Sequence, residues 1–514
     1  MQKKLMAVAI AAAFAAPTVA LGQGGSVQIY GTLTVSLEGA QAKGADTNGA
    51  PAPGTGGSSI RGGNVGGAYV SPVANATGTE NVNEPLRSRT QAAGSNVGMR
   101  GREDLGNGLY MGFQAEMAIA AGAIKPAGGT DSGTFVTWRN SGLWLGGRWG
   151  EVGLGVWDSP FTVNTNTLGA AHTTYGNAAT TFAAGLLAGL GNADGTISGQ
   201  DLGQFCGANF GQSATTTVNP TNCFRWATGF NRRVANSVWY VSPNWAGFSG
   251  RVQYGATSGS TSNATNESPN FPSTVKPSLW SVGLNYALGG FNAGVAYEYH
   301  GDYITAAARS MGAAGLPAIG TGCAPGFALG GNATIGATNS ATLACIPIGT
   351  AASNGISSDS ANAWNVNLRY TFGFGLSIGG YYEWIKYKMD YANNPGGTVA
   401  TGDGNLTELK RNAYRLDAAY QLGPHTFGLQ YAHANDLRGS VSGNRYSFDG
   451  SSTAVNGWIL GYAYSFSKRS SVYAYGTFIT NDTNARYAGI VNNGIGPNAG
   501  GDPRYVGVGL RHLF

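Results

Sequence analysis

The residues able to do covalent chemistry are few and poorly placed for it. Gly375-Leu376-Ser377-Ile378-Gly379 spells the G-x-S-x-G pattern of a nucleophilic serine, which gains its reactivity from a sharp strand-to-helix turn. Here Ser377 falls inside an alternating, strand-like stretch, so the elbow is missing. Five histidines, His172, His300, His425, His433 and His512, are scattered, and no spacing ties one to a serine or an acid. Cys206, Cys223, Cys323 and Cys345 are widely spaced and distant from histidine, which argues against a metal site. No metal and no cofactor are expected. What remains is electrostatic: Arg100, Arg102 and Arg251 on strand-like segments, Glu116 on another, and Asp158, Asp194 and Asp201 in one long polar stretch. Whether these charges act together depends on the elements that carry them.

Those elements read as strands. Leu109, Met111, Phe113, Ala115 and Met117 alternate with Tyr110, Gly112, Gln114 and Glu116; Phe291, Ala293, Val295, Tyr297 and Tyr299 alternate with Asn292, Gly294, Ala296 and Glu298. Val506, Val508, Leu510, His512 and Phe514 alternate with Gly507, Gly509 and Arg511. One face of each segment is apolar and the other small or polar, the mark of a membrane barrel strand. Seven tight turns join such segments in pairs, at 104–108, 147–150, 242–245, 288–290, 372–375, 422–424 and 466–469. Their Gly, Pro and Asn residues supply the backbone angles of a reversal. Between the pairs lie eight longer Gly/Ala/Ser/Thr/Asn-rich segments, near 39–94, 120–133, 158–233, 258–277, 302–361, 389–410, 435–455 and 481–502. Seven short and eight long connections in strict alternation require sixteen strands. Parity then turns Arg100, Arg102 and Arg251 inward, with Glu116.

The rest of the chain agrees. Met1-Gln2-Lys3-Lys4, the apolar stretch Leu5 to Ala16 and the small-residue exit Thr18-Val19-Ala20 form a secretory leader over 1–20, leaving 21–514 as one barrel domain. Twelve apolar residues are too few for a spanning helix, and no later stretch reaches the required length. Charged residues make up 11% of the chain, about half the usual share, so much of the exterior faces something other than water. Net charge is +5, or +3 once Lys3 and Lys4 leave with the leader, too weak and too evenly spread to argue for nucleic acid. Trp280 to Tyr286, Trp364 to Tyr370 and Trp458 to Tyr464 repeat one spacing, as in the aromatic girdles of a lipid-facing band. Six residues cover only about 15 Å along the membrane normal, so the Trp are expected to fall short of the upper girdle of a roughly 25 Å band. An exported chain also permits disulfides. Four cysteines allow three pairings and sequence alone does not choose; the local one, Cys206 with Cys223 and Cys323 with Cys345, is expected because each pair lies inside one predicted loop.

The fold class expected is therefore all-β: a transmembrane antiparallel 16-stranded barrel with long extracellular loops. Sixteen strands leave an aqueous lumen unless something plugs it, which points to transport. Here a resemblance becomes specific. Ser88-Arg89 with Gly98-Met99-Arg100-Gly101-Arg102-Glu103-Asp104-Leu105-Gly106-Asn107-Gly108-Leu109 resembles the second strand and first turn of the Gram-negative general-diffusion porins. Asn236 to Pro243 with Gly247-Phe248-Ser249-Gly250, Tyr464 to Ser470, and the terminal Val508 to Phe514 are similar to further strands of that family. The resemblance covers the strands and fails in the loops. It implies an outer-membrane channel for passive diffusion of small hydrophilic solutes and ions, a homotrimer, and an inward-folded third loop facing basic residues across a constriction. It also implies that the closing strand, ending on Phe514, is read by the barrel-assembly machinery.

On that reading the 158–233 loop brings Asp158, Asp194 and Asp201 toward Arg100, Arg102 and Arg251, and Phe182 to Leu190 within it could form a short buried helix. Opposed charges across a narrow lumen order water and favour polar solutes; the alternative is that the aspartates are ordinary solvated loop charges. The chain departs from the family where Gly155-Val156-Trp157 replaces a more basic sequence and where Trp239 and Val241 replace charge. Trp157 and Trp239 are thus candidate pore-wall aromatics, which argues against strong anion selectivity and raises a channel selective for amphipathic or aromatic solutes as an alternative. An adhesin or surface receptor using the long loops is the other.

Overall fold

Sixteen antiparallel strands close on themselves in the computed structural model. The structure describes residues 26–44, 61–62, 84–91, 94–119, 136–167, 230, 233–256, 278–301, 327–329, 345–347, 356–391, 405–436, 438–442, 454–482, 495–496 and 500–514. In chain order the wall consists of β1 (Ser26–Lys43), β2 in two segments (Glu84–Gln91 and Asn96–Gly106), β3 (Leu109–Ile119), β4 in two segments (Val136–Trp138 and Ser141–Gly147) and β5 (Gly150–Asp158). A helix, α1 (Pro160–Thr167), follows. The wall continues with β6 (Arg233–Val241), β7 (Phe248–Ala256), β8 (Ser278–Leu288), β9 (Phe291–Gly301), β10 (Ile356–Thr371), β11 (Leu376–Tyr391) and β12 (Asn405–Leu422). It ends with β13 in two segments (His425–Ala434 and Arg438–Ser442), β14 (Val455–Ser465), β15 (Ser470–Asn481) and β16 (Asp502–Leu513). Among the described residues two short pairings lie outside the wall: Arg61–Gly62 with Ile495–Gly496, and Phe327–Leu329 with Cys345–Pro347.

Closure is the step that makes these strands viable in lipid, because an open edge would leave N–H and C=O groups without partners. β1 supplies it on both sides. It pairs with β16 from Thr32↔Leu513 to Lys43↔Asp502, and with both segments of β2 on its other edge. Phe514 extends the seam: its N–H donates to the Gly31 carbonyl and its carbonyl accepts from the Gly31 N–H, each at 3.1 Å. Gly31 is required there, since a side chain in its place would run into the Phe514 ring. No described helix is long and apolar enough to cross a membrane.

All seven expected turns are present, and the alternation sorts the side chains as read. Leu284, Leu416 and Leu510 point out and are 58–64% exposed, whereas inward Glu298, Asn365 and Glu383 are fully buried. Such an inside-out distribution is stable only against lipid. The loop boundaries need correcting: β1 runs on to Lys43, β2 begins at Glu84, β10 begins at Ile356, and β11 and β12 reach Tyr391 and Asn405. These outer strand ends rise above the hydrocarbon, where the outward face no longer has to be apolar and the period of two fades from the sequence.

The aromatic belt is built from cross-strand pairs. Trp280, Trp364 and Trp458 each sit directly across from a tyrosine, Tyr254, Tyr297 and Tyr431, with ring centroids 4.5–4.6 Å apart and nearly the same tilt. The next outward residues above them, Ser278, Asn362 and Asn456, are polar, so the apolar run of each strand ends at its Trp. The lower edge is set by turn aromatics beneath the expected tyrosines, Phe374 and Phe466, which are 62% and 65% exposed. From Trp458 to Phe466 the band spans about 20 Å along the membrane normal.

Candidate functional site in the lumen

α1 begins where Ser159 caps it. The Ser159 hydroxyl accepts from the Thr162 N–H at 3.1 Å, the Ser159 carbonyl accepts from the Val163 N–H at 2.9 Å, and Pro160 takes the first helical position, where no N–H is needed. The helix lies inside the barrel against β8 to β12. Phe161 N–H donates to Ser281 Oγ at 3.2 Å. Asn365 donates to the Phe161 carbonyl at 3.1 Å and to Thr165 Oγ1 at 3.0 Å, and its carbonyl accepts from Asn164 at 2.7 Å. Tyr381 and Thr165 share a hydrogen bond of 3.0 Å, and Arg415 donates to the Thr165 carbonyl at 3.1 Å. Arg415 is itself neutralised by Asp417 at 3.1 Å, which also accepts from Gln430 at 2.5 Å. The returning chain adds Phe230, stacked on His300 at 4.4 Å, whose ring meets buried Glu298 at 2.7 Å.

Halfway round the barrel, on β2, stand Arg100 and Arg102. Both are exposed to the lumen. Arg100 donates to Gln28 Oε1 at 3.0 Å and lies 4.9 Å over the Tyr30 ring; Arg102 lies 3.5 Å over the Tyr110 ring. Aromatic faces hold a guanidinium in place without cancelling its charge. Among the described residues neither arginine makes an ion pair. By residue count the two sides are level: Arg100 and Arg102 stand six and four residues above the end of β2, and Asn365 and Asn367 stand six and four above the end of β10. That places both roughly 10–15 Å above the short turns, near mid-membrane.

The described inward acids, by contrast, are engaged. Glu116 is bound by Arg139 and accepts from the Tyr30 hydroxyl at 2.9 Å. Glu151 accepts from Tyr110 at 2.6 Å. Asp158 corrects an expectation: it is the last residue of β5 rather than a loop residue, and it pairs with Arg233 at 3.1 Å and Asn140 at 2.9 Å. Arg251 is inward on β7, beside outward Val252, and is half-buried. Asp194 and Asp201 lie outside the described residues, as do the helix expected at 182–190 and Cys206, Cys223 and Cys323. Cys345 opens a short strand, and its side chain is likewise not among those described.

Trp157 and Trp239 meet, their rings stacked at 4.9 Å, with Trp144 edge-on to Trp157 at 5.8 Å. Trp239 is only 6% exposed, so it is wall rather than solute contact. It lies over Gly153 and Gly142, where any Cβ would enter the ring. The sequence reading missed Trp144, although its parity between outward Leu143 and Leu145 was available as a signal. Ser377 is plain strand: its hydroxyl shares a 2.9 Å hydrogen bond with that of Thr371, and the backbone runs through it without an elbow.

The family model for Gram-negative porins matches residues 7–484. The chain belongs to that family. Its barrel therefore sits in the outer membrane, with the long loops outside and the short turns toward the periplasm. The major outer membrane protein P.IB of Neisseria gonorrhoeae is 28% identical over 202 residues, and this chain spans 39% of that relative's length. Among solved structures, the anion-selective porin from Comamonas acidovorans superimposes with a TM-score of 0.53 at 18% identity, covering 96% of this chain and all of that one. That likeness is one of fold.

Proposed function

We propose that this porin forms a water-filled channel for passive diffusion of small hydrophilic solutes and ions, with a preference for anions. The observation that carries the reading is the asymmetry of the lumen: Arg100 and Arg102 are exposed and unpaired among the described residues, while the described inward acids are each held by a cation, a hydroxyl or an amide. The Comamonas porin that shares this fold is itself anion-selective, which points the same way. Arg251 contributes less, being half-buried. The family supports a homotrimer, and the seam at Phe514 supports recognition of the closing strand by the assembly machinery. Ser377, mid-strand and bonded to the Thr371 hydroxyl, lacks the elbow that would support a hydrolase.

Trp144 and Trp157, both partly exposed, favour a secondary affinity for flat, amphipathic solutes along the β4–β6 wall. Planar-bilayer recording tests both readings. Stepwise conductance with a zero-current potential of anion-selective sign is expected in a salt gradient, with brief blockades by aromatic anions; absence of steps, or cation selectivity, refutes the channel or its preference respectively.

A further inference from the structure

The outer face of β11–β13 carries a row of cations that the channel does not use. Lys386 on β11 lies directly across from Lys410 on β12, and Lys410 lies directly across from Arg438 on β13. Lys388 stands one outward position higher on β11. All four face away from the lumen: their parity is that of outward Ile378, Tyr382 and Leu416, while inward Tyr381, Glu383, Ile385 and Tyr387 are buried. Among the described side chains Glu408 is the acid in the group, directly across from Lys388 and bonded to Lys386 at 2.6 Å and Lys410 at 3.0 Å. Lys388 and Arg438 are exposed and make no ion pair among the described residues.

Like charges directly opposite on neighbouring strands repel, so three in a row with one acid is a cost that an anion would relieve. The level of the row says which kind. Trp384 pairs with Trp364 at the upper edge of the apolar band, and Lys386 is the next outward residue above Trp384. The cations therefore begin where hydrocarbon ends, at the headgroup layer of the outer leaflet. Among the described residues no other part of the outer face sets three cations side by side at one level.

We propose that this row is a binding site for a phosphorylated glycolipid of the outer leaflet, a lipid A-type molecule whose phosphates bridge Lys388, Lys410 and Arg438 while its acyl chains lie over Tyr382, Trp384 and Leu416. Strands are spaced about 4.8 Å apart, so the row spans roughly 10 Å, within reach of two phosphates on one disaccharide. Arg438 supplies the planar fork suited to phosphate and the lysines supply point charges.

The test uses the folded full-length barrel in detergent, titrated with purified bisphosphorylated lipid A, its dephosphorylated form, phosphatidylglycerol and inorganic phosphate, with binding read by native mass spectrometry. The Lys388→Gln/Arg438→Gln double variant keeps the Lys386–Glu408–Lys410 bridge intact and so preserves the fold. At about a factor of five per surface cation lost, it should bind lipid A on the order of thirtyfold more weakly than the wild type. Lys388→Arg/Arg438→Lys should bind as the wild type does, and Lys468→Gln on a short turn should change nothing. Equal binding of dephosphorylated lipid A, equal binding of phosphatidylglycerol, or unchanged affinity in the double variant would each overturn the proposal. So would a double variant that loses its oligomeric state but not its lipid, since the row would then serve protein contact.

Discussion

Replacing Arg100 and Arg102 together with glutamate changes the charge of one narrow level of the lumen by four units. An ion passing roughly 7 Å from each side chain, in water-like dielectric and at 0.1 M salt, feels about 0.3 kcal/mol per unit charge after screening. Four units shift a cation by about −1.2 kcal/mol and an anion by about +1.2 kcal/mol. The anion-to-cation permeability ratio should therefore fall roughly fiftyfold. At 1 M salt the screening length shrinks to about 3 Å and the same variant should change the ratio only about twofold. Arg100→Gln/Arg102→Gln, a change of two units, should fall between, near sevenfold at 0.1 M. The assay is the zero-current potential across a planar bilayer in a tenfold salt gradient, on protein whose heat-modifiable mobility shows a folded barrel. A folded glutamate variant with unchanged selectivity at low salt would place the solute path away from β2 and refute the assignment. Failure to assemble would instead mean that the side chains meet lipid, where each charge costs about 2–4 kcal/mol near the midplane, contrary to their stacking on Tyr30 and Tyr110.

Three further outcomes are expected. Asn365→Leu removes three hydrogen bonds that hold α1 to the wall, about 2–3 kcal/mol in total, so single-channel conductance and open-state noise should rise; quiet, unaltered traces would show that the helix is held elsewhere. Deleting Phe514 removes both seam bonds to Gly31 and the aromatic end of the closing strand, and should leave unassembled protein in the periplasm, as judged by fractionation; normal amounts of folded barrel in the outer membrane would contradict it. Unreduced peptide mapping should find Cys206 joined to Cys223 and Cys323 to Cys345, bridges worth about 3 kcal/mol each by loop closure, and a crossed pair or four free thiols would overturn that pairing.

The sequence by itself determined the architecture and the facing of its side chains. A strand has a period of two and a barrel wall has two unlike solvents, so the alternation around Leu109–Met117 or Phe291–Tyr299 could be satisfied in only one way. The turn residues fixed the strand count for the same local reason, and a signal for α1 stood unread in Ser159-Pro160, a cap followed by a residue suited to the first helical position. Only the tertiary structure decided which charges are cancelled. Asp158 meets Arg233, Glu116 meets Arg139, and Asn365 meets a helix 200 positions away, because those partners are set by strand register and loop path, which leave no local mark. The same holds for the row of Lys386, Lys410 and Arg438. Each is an ordinary outward residue on its own strand, and it takes the pairing of three strands to bring them to one level above the lipid.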